Sequence, residues 1–326
     1  TCKQEYSVET PSYQGSCPES LMIPKVSKHL IKNGYRVSYP EGKNFAICLS
    51  HDVDDIYPPL SHKVLASICS LKNLDFRQMS RYLFWEVQGK SCSPYLNFRQ
   101  IIELEKKYQA RSTFYFMTAD RDPRRFRYQI EDIKAEIQEI HRRGWEIGLH
   151  GGYYSFDHLE AIRKEKDRLE NALEAEVFGY RNHYLRFHVP RTWAILRQCG
   201  LKYDSTYGHN NAVGFRNGMC HPFRPFNLYT GTPFEIYEIP LHIMDVTLFA
   251  RYTNSQAAWN AVRRLVDEVE QCHGVLTVLW HNNAFNCPFT LQWQAVYERL
   301  LDYGSSKNAW MTSHYELWRW WESHGY

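Results

Sequence analysis

Short apolar runs alternate with longer amphipathic segments along most of the chain. The apolar runs have the length of buried strands, and the segments between them have the length and spacing of helices. The pattern predicts strands at 45–49, 112–117, 145–149, 177–180, 201–205, 234–243 and 275–279. It predicts helices at 61–88 with a break near Asn73, and at 97–108, 129–143, 157–175, 190–199, 256–272, 290–303 and 313–323.

A strand followed by a helix, repeated about six or seven times, indicates parallel strands joined by crossover helices. We therefore expect an α/β fold with a single domain over residues 44–326. Four prolines interrupt residues 1–43, which we expect to form an irregular lead-in. A doubly wound open sheet is the alternative fold, but no glycine-rich phosphate loop follows any predicted strand.

Composition narrows the classes of function that the chain can have. The formal net charge is only +3 in 326 residues, which argues against nucleic acid as a partner. No run approaches the roughly 20 apolar residues that span a bilayer, and the polar N-terminus shows no signal peptide. The nine cysteines are odd in number and include no CxxC pair, which favours a reducing compartment. We expect a cytoplasmic protein; an exported form with its N-terminus removed is the alternative.

Polar residues end several of the predicted strands. In parallel α/β proteins ligands bind beyond the carboxyl ends of the strands, so these residues are expected to meet at one site. They are His51, Asp52 and Asp54, then His150, then Arg181 and His183, then Asp204, and finally His281.

Asp52 and Asp54 are two residues apart, so in extended chain they face the same side. Two carboxylates held this close repel each other, and a cation bound to one relieves the repulsion and leaves the other free as a base. His150 ends a buried strand and precedes two glycines, which suits an imidazole ligand of zinc or a similar ion. His158 begins a charged helix, where we expect it to be solvated.

Two later strand ends add groups for acid–base chemistry. Arg181 carries a planar guanidinium that can orient a carboxylate, and His183 lies two residues further on. His281 follows the last apolar run, where an imidazole can give a proton to a leaving group.

These residues, in this order, resemble the motifs of the polysaccharide deacetylase superfamily, carbohydrate esterase family 4, over about 44–285. The resemblance implies a distorted (β/α)7 barrel and removal of acetyl groups from sugars with a divalent metal, often zinc. It matches Asp52 to the family's base, Asp54 and His150 to its metal ligands, Arg181 to its arginine and His281 to its last histidine. A subgroup from bacterial surface-glycan biosynthesis is the most similar.

One departure from the family's motifs concerns the third metal ligand. The family usually has a second histidine four residues after the first, where this chain has Tyr154. We expect His183 to replace it, with His158 and His51 as the alternatives.

The resulting hypothesis is metal-assisted hydrolysis of an acetylated sugar. Asp52, oriented by Arg181, takes a proton from water, and His281 protonates the leaving group. Tyr153 and Trp280 are expected to flank the sugar ring, and Arg216 to contact the sugar from its loop.

Three alternatives remain from the sequence. A metal-free amide or ureide hydrolase on the same barrel fits the missing second histidine, and a non-catalytic glycan-binding protein fits the pocket. An unrelated α/β hydrolase is disfavoured because the chain has no GxSxG motif.

Overall fold

A sheet of parallel strands forms the centre of the computed structural model, which describes residues 19–119 and 128–326. Its strands follow the order β8-β5-β4-β3-β2-β1-β10-β9, and β11 pairs with the beginning of β1. Their bounds are β1 Ala46–Val53, β2 Thr113–Met117, β3 Glu146–Gly151, β4 Gly179–Asn182, β5 Tyr203–Asp204, β8 Tyr237–Glu238, β9 Ile243–Met244, β10 Val275–Leu279 and β11 Trp310–Thr312. A separate antiparallel pair is formed by β6 Phe226–Asn227 and β7 Thr232–Pro233.

One short segment of chain closes the sheet into a barrel. Strands β8 and β9 lie at opposite ends of the strand order but are nearly consecutive in sequence. Tyr237 N–H donates to the carbonyl of Lys202 at 3.0 Å beside β5, and His242 N–H donates to the carbonyl of Thr277 at 3.2 Å in β10. When β8 and β9 are counted as one interrupted strand, the path around the barrel has seven strands. This confirms the predicted distorted (β/α)7 barrel.

The continuous strand predicted over 234–243 is wrong in its detail. Residues 239–242 separate β8 from β9, and Pro240 lies in that gap. Proline has no N–H to donate to a neighbouring strand, so the ladder is interrupted there.

Helices cover the outside of the barrel, mostly where the sequence predicts them. The bounds are α1 Lys25–Lys32, α2 Leu60–Lys72, α3 Phe76–Gln88, α4 Phe98–Lys106, α5 Lys134–Arg142, α6 Leu159–Leu173, α7 Arg191–Gln198, α8 Asp245–Arg251, α9 Ser255–Gln271, α10 Leu291–Ser306 and α11 His314–Ser323. The break predicted near Asn73 separates α2 from α3. Helix α8 was not predicted. No helix of the described ranges is long and apolar enough to cross a membrane.

Residues 19–43, the described part of the lead-in, are more ordered than the sequence indicates. Here α1 begins directly after Pro24, and a 3-10 turn begins at Pro40. Proline is tolerated in the first turn of a helix, so these prolines flank structure instead of preventing it. Tyr39 packs into the core, and its hydroxyl donates to the carbonyl of Gly274 at 2.8 Å. This part of the lead-in therefore packs against the barrel.

Candidate active site

Three side chains from three strand ends meet at the carboxyl end of the barrel. Asp54 follows β1, His150 lies in β3, and His183 follows β4. The Oδ1 atom of Asp54 is 3.2 Å from Nε2 of His150, and Oδ2 is 3.4 Å from Nε2 of His183. One ligand atom from each residue can be chosen so that all three lie within 4.8 Å of one another. This triad is the set of ligands predicted from the sequence.

The polar atoms of the triad lack hydrogen bonds that would satisfy them. His150 Nδ1 is 2.9 Å from the carbonyl of Arg181, to which it must donate, because a carbonyl only accepts. In a neutral imidazole, His150 Nε2 then carries a lone pair and faces a carboxylate oxygen. His150 Nε2, Asp54 Oδ1 and His183 Nδ1 are buried without a hydrogen-bond partner among the described residues. Two imidazoles and a carboxylate are ligands that zinc accepts, and a cation would satisfy His150 Nε2 and Asp54 Oδ1, which face each other at 3.2 Å.

The electrostatics of the triad favour positive charge between its members. Burial alone raises the pKa of Asp54, but His183 and His150 beside it outweigh burial and hold that pKa well below its usual value. Burial lowers the pKa of His150, yet Asp52 and Asp54 outweigh it and raise that pKa. Asp54 is therefore ionised near neutral pH, and the site attracts a proton or a metal ion.

Asp52 is held by Arg181 in the interior of the barrel. Arg181 Nη1 donates to Asp52 Oδ1 at 2.9 Å and to Ser50 Oγ at 2.7 Å. The guanidinium also donates twice to Ser205, to its carbonyl at 3.0 Å and its hydroxyl at 2.9 Å, and stacks on Tyr115 at 4.5 Å from the ring centroid. Arg181 is fully buried, so its position is fixed. The second oxygen of Asp52 stays open towards the triad, 3.7 Å from His150 Nε2.

His281 is paired with Asp245, which sequence reasoning did not identify. Asp245 Oδ1 is 2.7 Å from His281 Nδ1, and Oδ2 accepts the backbone N–H of His281 at 2.8 Å. Burial lowers the pKa of His281, but the Asp245 carboxylate outweighs burial and raises that pKa to about 10. The other ring nitrogen, Nε2, lies 3.9 Å from Asp54 Oδ2. His281 is thus oriented towards the triad and carries a proton.

The two alternative ligands lie elsewhere. His158 is exposed and pairs with Asp157 at 3.2 Å. His51 points to the opposite side of β1 from Asp52, where its ring nitrogens contact Glu105 at 2.9 Å and the carbonyl of Trp280 at 2.8 Å. Neither ring faces the triad.

Trp280 is one of the three residues predicted to contact the sugar, and the structure contradicts this prediction. Its side chain is fully buried and packs between Phe249 and Tyr297, with ring centroids 6.0 and 5.4 Å away. A ring enclosed by the core presents no face to a substrate.

Tyr153 and Arg216 are the other two residues predicted to contact the sugar. Tyr153 lies 5.5 Å from Tyr184, ring centroid to centroid, and Tyr184 lies 4.5 Å from the triad histidine His183. Arg216 donates to the carbonyl of Gly208 at 2.9 Å and stacks on Tyr207, which follows β5 at the carboxyl end of the barrel. No described contact joins Arg216 to the triad, so its role stays a prediction.

Comparison with known proteins places the chain by its fold. No family model matches the sequence, and no curated protein matches it. Among solved structures, a candidate polysaccharide deacetylase from Mycobacterium smegmatis is similar, with a TM-score of 0.59 and 16% identity over 89% of this chain and 94% of that one. A second, from Pseudomonas aeruginosa PAO1, has a TM-score of 0.56 and 14% identity over 90% and 97%.

The chain therefore has the fold of the polysaccharide deacetylases, as its motifs predict. Identities of this size establish the fold alone. What the site does has to be inferred from its own residues.

Proposed function

We propose that this protein is a hydrolase that removes an acetyl group from an N- or O-acetylated sugar of a glycan, with a divalent cation, zinc by preference, held by Asp54, His150 and His183. The observation that supports this proposal is that the three side chains of the triad meet next to the Asp52 carboxylate and the protonated His281. Asp52, held by Arg181, lies 3.7 Å from His150 of the triad, and His281, held by Asp245, lies 3.9 Å from Asp54 of the triad.

The residues around the triad divide the chemistry between them. A bound divalent cation would supply Lewis-acid polarisation of the acetyl carbonyl and of a water molecule. The open oxygen of Asp52 accepts the proton of the attacking water. Arg181 fixes the orientation of the Asp52 carboxylate by donating to its Oδ1 atom. His281 gives the proton on Nε2 to the departing amine or alkoxide, and Asp245 holds its ring through Nδ1.

The metal-free alternative is less consistent with the site. Without a cation, His150 Nε2 would face two carboxylates, Asp52 at 3.7 Å and Asp54 at 3.2 Å, and would need to be protonated itself. A protonated His150 would donate to one of these carboxylates and could not itself accept a proton from the attacking water. A metal ion satisfies the same lone pairs and leaves Asp52 as the base.

An aromatic cluster beside the triad supports a sugar as the substrate. The cluster consists of Tyr153, Tyr154 and Tyr184, with Arg186 stacked on Tyr153 at 4.3 Å from the ring centroid. Tyr154 and Tyr184 expose their rings to solvent. Aromatic faces bind the C–H face of a pyranose, and their hydroxyls bind its polar edge.

The experiment is a measurement of acetate released from N-acetylated and O-acetylated oligosaccharides by protein purified without chelators. We expect release that a chelator abolishes and that added zinc restores. The His183→Ala variant should lose both metal and activity, whereas the control His158→Ala should keep both. Chelator-insensitive hydrolysis would favour the metal-free enzyme. Saccharide binding without acetate release would favour a binding protein.

A further inference from the structure

The hairpin formed by α2 and α3 carries its large apolar side chains on the outside. Of the eighteen large hydrophobic residues that are exposed in the described chain, ten lie between Leu60 and Val87. The buried positions of α2 are instead the small residues Ala66 and Ser70. An isolated exposed leucine needs no explanation, but a cluster of this size marks an interaction surface.

The exposed residues of α2 follow helical spacing. Leu60, Val64, Ile68 and Leu71 are separated by four, four and three residues, so they form one stripe along the helix. Helix α3 continues the apolar surface with Leu83 and Val87. A helix of a globular protein normally turns such a stripe towards the core, and here it faces solvent.

Positive charge borders this apolar surface. Residues 60–88 contain four Lys or Arg and two Asp or Glu, a surplus of two positive charges. Both carboxylates are engaged within the hairpin, since Glu86 pairs with Lys63 at 2.8 Å and Asp75 caps α3 by accepting the N–H of Gln78. Among the described residues, no carboxylate lies within ion-pair distance of the other three cations, Lys72, Arg77 and Arg81.

We propose that the α2–α3 hairpin binds the surface of an anionic lipid bilayer. Apolar side chains of this kind insert at the boundary between headgroups and acyl chains, and cations beside them are attracted to anionic headgroups. A second copy of the chain fits less well, because self-association would bring two sets of unpaired cations together. Residues 1–18, which hold only Val8, Tyr6 and Tyr13 as large apolar side chains, offer little to cover the surface.

The hairpin lies at the end of the barrel where the active site opens. Helix α2 begins six residues after Asp54, and the Gln78 side chain of α3 donates to the carbonyl of Asn286, in the loop after His281, at 2.6 Å. Docking of the hairpin would therefore place the triad close to the membrane surface. Neither α2 nor α3 is long enough to span the bilayer, so the docking is peripheral.

The test is co-sedimentation with vesicles of phosphatidylcholine containing about a quarter phosphatidylglycerol. The chain offers a matched pair of double variants. Leu71→Ser with Val87→Ser changes residues that are 52% and 87% exposed in the hairpin, and Leu228→Ser with Val26→Ser changes residues that are 87% and 42% exposed elsewhere. We expect the hairpin variant to lose vesicle binding by about tenfold or more, because it lacks two aliphatic side chains that would be buried in the bilayer. The control variant should bind as the wild type does.

Two further measurements keep the proposal falsifiable if the hairpin variant folds poorly. Hydrogen exchange of the wild-type protein should show vesicle-dependent protection of residues 60–88 and none of residues 226–234. Salt raised to about 1 M, where the Debye length is about 3 Å, should weaken vesicle binding. Wild-type protein that stays in the supernatant, equal losses in both variants, or protection outside the hairpin would overturn the proposal. A dimer that only the hairpin variant loses, without vesicle binding, would identify a second copy as the partner.

Discussion

Asp54 Oδ2 lies 3.4 Å from His183 Nε2, so a carboxylate at the end of β1 is paired with an imidazole that follows β4. This contact gives the triad its third member, although position 154, where a second histidine was expected, is Tyr154. If His183 binds a metal ion as proposed, the chain has three ligands without a second histidine at position 154.

The first prediction separates the base from the ligand. Asp52→Asn removes the acceptor of the water proton but keeps the side-chain shape, so bound metal should remain and acetate release should fall by about 10²–10⁴-fold, the usual range for a general base. Asp54→Asn should reduce both metal content and acetate release. Elemental analysis and an acetate assay on the same samples check this. Equal metal loss in the two variants would show that the roles are not divided in this way.

The second prediction concerns His281 as the proton donor. His281→Ala should keep metal and lower turnover of an acetylated sugar by about 10²–10⁴-fold. An aryl acetate has a leaving group that needs no proton, so its hydrolysis should be affected much less. A similar loss on both substrates would mean that His281 acts through packing or metal binding.

A third prediction follows from the pair of Asp245 with His281. The carboxylate raises the pKa of His281 to about 10. Asp245→Asn keeps an oxygen that can accept from Nδ1 but removes the charge, so the pKa of His281 should fall by about 1–3 units. The basic limb of the pH–kcat profile should then move to lower pH. Loss of turnover with an unchanged profile would contradict the proposed role of Asp245.

The site was predictable from the sequence because polar residues end the parallel strands. That rule gave Asp52, Asp54, His150, Arg181, His183 and His281. It also gave His51 and Asp204, which no described contact joins to the triad: His51 contacts Glu105, and Asp204 accepts from the Thr206 hydroxyl at 2.6 Å. The same rule would have found Asp245, which directly follows Met244, but the strand predicted over 234–243 hid the shorter β9. Proline has no N–H to donate, so the strand is interrupted at Pro240. The two parts then pair with different strands, β8 with β5 and β9 with β10, and these pairings between distant residues cannot be read from the local sequence.

The wrong assignment of Trp280 has a different cause. Strand β10 is buried at every position, so its sequence shows no alternation of polar and apolar residues. Without alternation, the sequence cannot say which side chains turn inwards to the mouth and which turn outwards to the helices. The structure shows that Trp280 packs in the core while the next residue, His281, faces the triad.

A fourth prediction concerns stability, through the buried carboxyl of Glu146. Burial raises the pKa of Glu146 to about 8 from an ordinary value of 4.5. The folded protein therefore keeps a proton that the unfolded chain releases between these pH values, so the free energy of unfolding should fall as pH rises through this window. One such group contributes at most about 1.4 kcal/mol per pH unit. Chemical denaturation at several pH values measures this slope.

Matched amide variants isolate the contribution of this carboxyl. Glu146→Gln is neutral at every pH and should flatten the slope, whereas Glu322→Gln changes an exposed carboxylate and should leave the slope unchanged. An unaltered slope in Glu146→Gln would mean that Glu146 is ionised in the folded protein.

The position of a bound zinc ion would show whether Asp54, His150 and His183 hold the metal. Crystals of the protein grown with zinc should give an anomalous difference peak between Asp54, His150 and His183. The peak should lie about 2.0–2.2 Å from a ring nitrogen of His183, the usual zinc–imidazole distance. A fully occupied peak away from His183, or one bound by His158, would contradict the account.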